Sequence, residues 1–415
     1  MSENTSRRSG RGLWSVLAGT RCRPFWTMLL VRAGFWIGTT LTLLWTQYSY
    51  RSGERDLASS EFQAYESRTD VLFNTFTEWD AGWFIGIAAN GYFSTEAAAF
   101  FPLYPLVVGA LSEVTGSIVV AGVVVSLIAA GVAAVLVAEI ARTLLNDRVA
   151  RDAVLFIALY PLAFVFTSVY SEGLFLALAA GAILAALRDR PVLAGVLGAL
   201  AVATRPSGVA LVPALAILLW PRRRSVAAFA SRLAPLLLLP AALGLYALYL
   251  EDRFGDALAF VRAQEAVGWQ REMAPLGPIG GLWEAVSEGW HGGLQLLLHL
   301  PEPGDFAPED LIATRNLLQL LLLAAALALT WVAWRRLGAG FGVYSAALIA
   351  IAVSAPAELY PLVSFPRFLL ADFPLFIALA TLTEKRPGAR DAVIVAFAAV
   401  GAAAAVGFAR HVWIA

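Results

Sequence analysis

The stretch SIVVAGVVVSLIAAGVAAVLVAEIA, residues 117–141, decides the fold. It carries one charged residue, Glu139, and exceeds the roughly 20 residues that a helix needs to cross the hydrocarbon core of a bilayer. Similar apolar stretches recur along the 415 residues, which are 59% hydrophobic and only 14% charged, with a mean hydropathy of +0.71. This composition predicts an all-α polytopic membrane protein.

The distribution of charge and cysteine excludes several other classes of protein. The formal net charge is zero and the basic residues are scattered through short segments, so nucleic-acid binding is not expected. The only cysteine, Cys22, cannot form an internal disulfide, and three histidines are poor material for a metal site. The chemistry must therefore be sought among carboxylates and arginines.

The arginines predict which ends of the helices face the cytoplasm. They collect in six short clusters, and loops rich in Lys and Arg stay cytoplasmic. Placing all six inside requires the apolar stretch 192–219 to cross twice, with its turn at ATRPSG, residues 203–208. The two helices of that stretch are short and need local thinning of the bilayer or a broken-helix arrangement. The eleven predicted spans are 24–45, 117–141, 152–169, 171–187, 191–203, 207–220, 232–250, 316–334, 341–357, 366–382 and 391–410.

This topology makes the chain a single membrane-embedded domain, 1–415, with two large external segments, 46–116 and 251–315. It also brings the charged residues of the span ends to the extracytoplasmic face. A charge at the centre of a membrane helix costs about 2.5–3.5 kcal/mol, so their collection on one face predicts a single outward-facing site. These residues are Asp80, Glu172, Arg205, Glu358 and Arg367.

Carboxylates and arginines beside lipid suit glycosyl transfer from a lipid-linked phosphosugar. A carboxylate removes a proton from a sugar hydroxyl, and arginines bind a phosphate bidentately as it leaves. Other roles remain open for each residue. Asp80 can cap a helix, Glu172 can cap a helix or bind the acceptor, Arg205 can pair with an internal carboxylate, and Arg367 can extend to the membrane interface.

Further residues are candidates for substrate binding. Glu78 and Trp79 lie beside Asp80, although the sequence around Glu78 favours a solvated loop carboxylate. A Glu-x-Asp pair such as Glu78 and Asp80 can also bind a divalent cation. We predict no required cofactor, because arginine alone can neutralise a leaving phosphate. Tyr104 lies in FFPLYP, which also reads as a proline-broken entry into the membrane.

The second external segment contains FVRAQEAVGWQREMAPLGPIGGLWEA, residues 260–285, which predicts an amphipathic interfacial helix, a turn and another helix. It is expected to cover the substrate groove. Trp269 is the candidate for stacking on a sugar, and Arg271 is expected near the donor or the acceptor.

Several ordered motifs resemble the bacterial branch of the GPI-mannosyltransferase-II (PIG-V) family. They are WDAGWFIGIAANGY (79–92), AFFPLYPLVV (99–108), YSEGLF (170–175), ATRPSG (203–208) and PRFLLADFPLFIALA (366–380). The resemblance implies a GT-C glycosyltransferase fold. It also implies a polyprenyl-phosphate-linked sugar, typically mannose, as donor, and Asp80 as the base of an inverting transfer. An arginine often precedes WD in this family, whereas Thr77 and Glu78 stand here, so Arg205 or Arg367 must bind the donor phosphate.

The expected function is thus a membrane mannosyltransferase of the cell envelope. Its partners are a polyprenyl-phosphate-mannose donor, a glycolipid or glycan acceptor and membrane lipids. Two other functions remain open: a flippase or carrier of a lipid-linked sugar, and a structural subunit of a polysaccharide assembly complex. Internal repeats would favour a carrier, and the sequence shows no convincing one.

Overall fold

The helices of the chain follow its apolar stretches. The computed structural model describes residues 22–45, 72, 77–221, 225–265, 269–298, 308–410 and 412. The α-helices of these ranges are α1 (Arg23–Trp45), α2 (Asp80–Asn90), α3 (Leu103–Thr115), α4 (Ile118–Leu144), α5 (Asp147–Leu159), α6 (Glu172–Leu187), α7 (Pro191–Thr204), α8 (Leu211–Leu218), α9 (Val226–Leu233), α10 (Leu238–Phe254), α11 (Ala259–Arg262), α12 (Pro278–Leu298), α13 (Pro308–Leu337), α14 (Ala339–Val353), α15 (Phe365–Phe368), α16 (Phe373–Thr383) and α17 (Pro387–Ala409). The predicted all-α polytopic architecture is confirmed.

Helix α4 lies at the centre of the bundle. It packs against α1, α3, α5 and α6, and small residues such as Ala130, Ala134 and Ala138 form its buried face. The outer helices instead expose large apolar side chains, among them Leu30 and Leu41 of α1 and Leu245 of α10. An apolar surface of this extent is stable against lipid and not against water.

Five helical segments in the described ranges are long and apolar enough to cross a membrane. They are Arg23–Trp45, Ile118–Leu144, Val226–Phe254, Pro308–Leu337 and Pro387–Ala409. Shorter apolar helices, 10–17 residues long, cover most of the other predicted spans. The predicted total of eleven crossings therefore stays a prediction.

Prolines interrupt two of the predicted spans. Helix α5 ends at Leu159, two residues before Pro161, so residues 152–169 do not form one continuous helix. The span predicted at 366–382 bends by 83° between Phe365–Ala371 and Phe373–Thr383. A proline has no backbone N–H and disfavours helical geometry in the residue before it, so Pro161 and Pro374 account for the two breaks.

The bundle has two chemically different ends. At one end, which we call the arginine end, the short loops are joined by ion pairs such as Arg188 with Glu139 at 2.7 Å and Arg390 with Asp152 at 2.8 Å. Helices α4 and α6 both run toward this end, and α7 runs away from it. The start of α6 and the end of α7 therefore meet at the opposite end, where a large cavity opens.

Candidate active site

Asp80 is the first residue of α2, and its carboxylate points into the cavity. The preceding residue, Trp79, adopts φ 60° and ψ −123°, a backbone region that side-chain-bearing residues rarely occupy. The N-cap position of α2 is occupied by Trp79, without a side-chain capping bond, and Asp80 has a different partner. Its Oδ2 instead accepts a hydrogen bond from Nη1 of Arg367 at 2.6 Å.

Arg367 joins two carboxylates that lie far apart in the sequence. Its Nη1 binds Asp80, and its Nε lies 3.4 Å from Oε1 of Glu172, although without hydrogen-bond geometry. Arg205 donates to the same Oε1 of Glu172 at 2.6 Å and to Oγ of Ser171 at 3.2 Å. Glu172 thus forms ion pairs with two arginines from separate segments of the chain.

Three guanidinium groups surround the ring of Phe368. The Cζ atoms of Arg271, Arg205 and Arg367 lie 5.2, 5.5 and 5.7 Å from the ring centroid. We call these three residues the arginine cluster. The negative face of an aromatic ring attracts cations, which reduces the cost of bringing three like charges together.

Arg271 reaches the cluster because its segment pairs with the chain after α14. It forms an isolated antiparallel bridge with Ala357, and the amide of Ala274 donates to the carbonyl of Ser354 at 3.0 Å. The Nη2 atom of Arg271 donates to the carbonyl of Val363 at 3.0 Å.

Burial, together with the charges of Arg367 and Arg205, lowers the pKa of Arg271 to about 10, although the charge of Asp80 opposes this shift. Arg271 therefore stays charged at neutral pH. The other two arginines disfavour its charge, so an anion bound among the three would be stabilised.

The cavity that contains these groups has a volume of about 840 Å³. Its aromatic wall includes Trp83, which stacks on Phe93 and Phe100 at centroid distances of 5.8 and 5.7 Å. Trp269 packs obliquely against Trp83 and Phe100 and also lines the cavity.

The structure brings all but one of the predicted site residues to this cavity. Glu78 and Trp79 line it beside Asp80, as does Glu358 at a more exposed position. Glu78 is buried and not a solvated loop carboxylate. Tyr104 does not line the cavity: its buried hydroxyl bonds Ser126 at 2.8 Å.

Tyr104 supports the site indirectly. Ser126 donates to the carbonyl of Tyr170 at 3.0 Å, and the hydroxyl of Tyr170 donates to the carbonyl of Glu78 at 3.1 Å. This chain of bonds fixes the backbone beside Asp80 to the central helix α4.

Sequence reasoning missed Phe368 and Tyr170, which pack against the arginines. Nothing in an apolar sequence distinguishes such a ring from ordinary core. Sequence reasoning also missed Asp372, a cavity residue for which a signal existed: it is the only charged residue between Arg367 and Glu384.

No group of three or more His, Cys, Asp or Glu residues in the described ranges is arranged to bind a metal ion.

Comparison with known proteins gives a match to a family model and similarity to solved structures. Residues 39–222 match the family model described as mannosyltransferase (PIG-V). The crystal structure of ArnT from Cupriavidus metallidurans bound to undecaprenyl phosphate is 15% identical, with a TM-score of 0.48, over 77% of this chain and 57% of that one. The apo state of ArnT from Cupriavidus metallidurans is 16% identical, with a TM-score of 0.44, over 73% and 53%.

This chain thus spans little more than half the length of those ArnT chains. No curated protein matches it significantly. The matched range contains Asp80, Glu172 and Arg205. The similarity to the PIG-V mannosyltransferases, predicted from the sequence motifs, is confirmed over residues 39–222.

Proposed function

We propose that the chain is a membrane glycosyltransferase of the GT-C type that moves mannose from a polyprenyl-phosphate donor to a lipid or glycan acceptor on the extracytoplasmic face. The observation that carries this proposal is the meeting of Asp80 with the arginine cluster in one cavity of about 840 Å³. The match to a mannosyltransferase family supports the class of reaction and the sugar.

The arginine cluster has the properties of a phosphate site. Its three guanidinium groups converge on Phe368 from three separate segments of the chain. Two of them are already paired with carboxylates, and Nε of Arg271 is buried with no hydrogen-bond partner in the described residues. A phosphate with several free oxygens fits such a set of donors.

Asp80 then has the role of general base. It accepts the proton of the acceptor hydroxyl while the hydroxyl oxygen forms a bond to the anomeric carbon of the donor sugar. The bond from that carbon to the phosphate oxygen breaks, and its electron pair leaves with polyprenyl phosphate. Attack on the face opposite the phosphate inverts the anomeric configuration.

Arg367 couples the two halves of this reaction. It holds Asp80 at 2.6 Å and belongs to the cluster that receives the phosphate. Charge that develops on the phosphate therefore forms beside a guanidinium that also orients the base. The cluster supplies this neutralisation without a divalent cation, so transfer should persist in EDTA.

The test measures transfer of radiolabelled mannose from polyprenyl-phosphate-mannose by the purified protein in lipid. Asp80→Asn keeps the size of the side chain but cannot accept the proton. Transfer should fall by about 100- to 10,000-fold, the usual contribution of a general base, while donor binding is retained.

A matched control is Asp256→Asn, which changes a carboxylate paired with Arg262 at 2.6 Å outside the cavity. It should leave transfer unchanged. Glu78→Gln should have a smaller effect than Asp80→Asn. Full transfer by a correctly folded Asp80→Asn protein would remove Asp80 from the mechanism.

A further inference from the structure

The cavity contains a buried carboxylate for which the proposed reaction has no use. Asp372 is 1% exposed, yet it lines the cavity together with the apolar side chains of Leu348 and Ile349. It stands at the 83° break between Phe365–Ala371 and Phe373–Thr383. A carboxylate in apolar surroundings is costly unless something binds it.

Asp372 does not serve the structural role that its position suggests. An aspartate just before a helix normally accepts a hydrogen bond from an amide of the first turn. Here α16 receives no side-chain capping bond. Only the main-chain carbonyl of Asp372 bonds the helix, from the amide of Leu375 at 3.1 Å.

Only one of the two carboxylate oxygens has a protein partner. Oδ1 accepts a hydrogen bond from Oγ of Ser345 in α14 at 2.5 Å, which fixes the plane of the carboxylate. Oδ2 is buried and has no hydrogen-bond partner in the part of the chain that the structure describes. The side chain is thus held in one orientation with one acceptor free.

We propose that Oδ2 of Asp372 accepts a hydrogen bond from a hydroxyl of the transferred sugar, which makes Asp372 a residue that selects the donor. This inference rests on the proposed function. The sugar is bonded directly to the phosphate and so occupies the part of the cavity next to the arginine cluster. Asp372 follows Arg367 by five residues, and the short helices between them give a backbone rise of about 8–10 Å, which is comparable with the length of a phosphate joined to a hexose.

The chemistry fits a hydroxyl donor. A carboxylate oxygen only accepts hydrogen bonds, and every sugar hydroxyl can donate one. A site that bonds a substrate hydroxyl rejects an analogue that lacks it, because the buried acceptor then stays unpaired. Asp372 therefore discriminates by the position of one hydroxyl, whereas the arginine cluster treats all phosphosugars alike.

The test compares Asp372→Asn with the parent protein in lipid nanodiscs, by binding of polyprenyl-phosphate-mannose and of polyprenyl phosphate without sugar. Asparagine keeps the volume and an oxygen for Ser345 but presents an N–H group in place of Oδ2. Affinity for the sugar-bearing donor should fall by about 10- to 100-fold. Affinity for polyprenyl phosphate should be unchanged.

Donors in which single hydroxyls are replaced by hydrogen identify the contact. The parent should bind one such donor about 10- to 100-fold more weakly, and Asp372→Asn should no longer distinguish it from the full donor. Asp256→Asn, which changes a carboxylate outside the cavity, is the control and should retain the discrimination.

If Asp372→Asn lost affinity equally for polyprenyl-phosphate-mannose and for polyprenyl phosphate, Asp372 would have a structural role and the inference would be overturned. The inference would also be overturned if the parent bound every deoxy donor as tightly as polyprenyl-phosphate-mannose. This measurement uses the parent protein alone and does not depend on the folding of a variant. If the parent binds and transfers but Asp372→Asn behaves identically, the inference alone fails. A parent that neither binds nor transfers the donor would overturn the proposed function as well.

Discussion

Arg367 links the charged and the aromatic groups of the cavity. It contacts Asp80 and Glu172 at once, packs over the rings of Tyr170 and Phe368, and its side chain is only 8% exposed. The planar guanidinium group places one nitrogen beside each of the two carboxylates. An ammonium group on a flexible stem cannot reproduce this geometry.

Arg367→Lys should therefore lose donor affinity and transfer although the charge is kept. Loss of one charge-assisted bond corresponds to about 10- to 100-fold. Arg205→Lys should be milder, because Arg205 binds a single carboxylate oxygen and its side chain is 18% exposed. Donor binding and initial rates of transfer measure both.

The control for these two variants is Arg262→Lys, which alters an exposed arginine paired with Asp256 outside the cavity. If Arg367→Lys and Arg262→Lys are equally active, the phosphate is not bound by Arg367.

The sequence predicted that these charged residues share a site, because each lies at the end of an apolar span, where an unpaired charge is costly. That argument brought Asp80, Glu172, Arg205 and Arg367 to one face before any distance was known. It could not predict that Glu172 would be shared between the two arginines. Such sharing depends on the angles between helices, and no periodicity encodes those angles.

At the scale of elements, the second external segment was only partly predictable. Its turn and second helix were expected from glycine and proline, and α12 is that helix. The bridge from Arg271 to Ala357 was not expected. It joins two short irregular segments whose sequences have no strand pattern, so only tertiary packing specifies it.

Gly281 makes this arrangement possible. A Cβ atom there would lie 1.7 Å from the carbonyl oxygen of Val353, at the end of α14. Helix α12 therefore approaches α14 at a distance that only glycine permits. The same contact holds the segment with Arg271 over the cavity.

Gly281→Ala should displace α12 and weaken donor binding. Overpacking of this kind costs about 1–3 kcal/mol, so the midpoint of thermal unfolding of the purified protein should also fall. Gly293→Ala is the control on the same helix, because its Cβ would meet only a side-chain carbon of Leu317 at 3.4 Å. Equal behaviour of the two variants would contradict the role of Gly281.

At the scale of the whole molecule, the cavity and the arginine end lie at opposite ends of the bundle. Helices α4, α6 and α7 connect them, and the ion pairs of Arg188 and Arg390 stand at the end away from the cavity. The rule that arginine-rich loops stay cytoplasmic predicts that the cavity faces the extracytoplasmic side.

Single cysteines test this orientation in a Cys22→Ala background. Thr95→Cys and Glu288→Cys, both at exposed positions of the two external segments, should react with an impermeant thiol reagent in intact cells. Ser225→Cys, exposed near the arginine end, should react only after the membrane is opened. The reverse pattern would invert the topology.

The pairing of Asp80 and Glu172 with Arg367 has a consequence for biosynthesis. The two acids leave the ribosome long before their partner, which stands near the end of the chain. Until the last helices insert, the nascent protein carries two carboxylates with too few cations, and a buried unpaired charge is strongly destabilising. We therefore expect a chain truncated before Arg367 to be less stable in the membrane than the full chain, because both carboxylates would lack this partner.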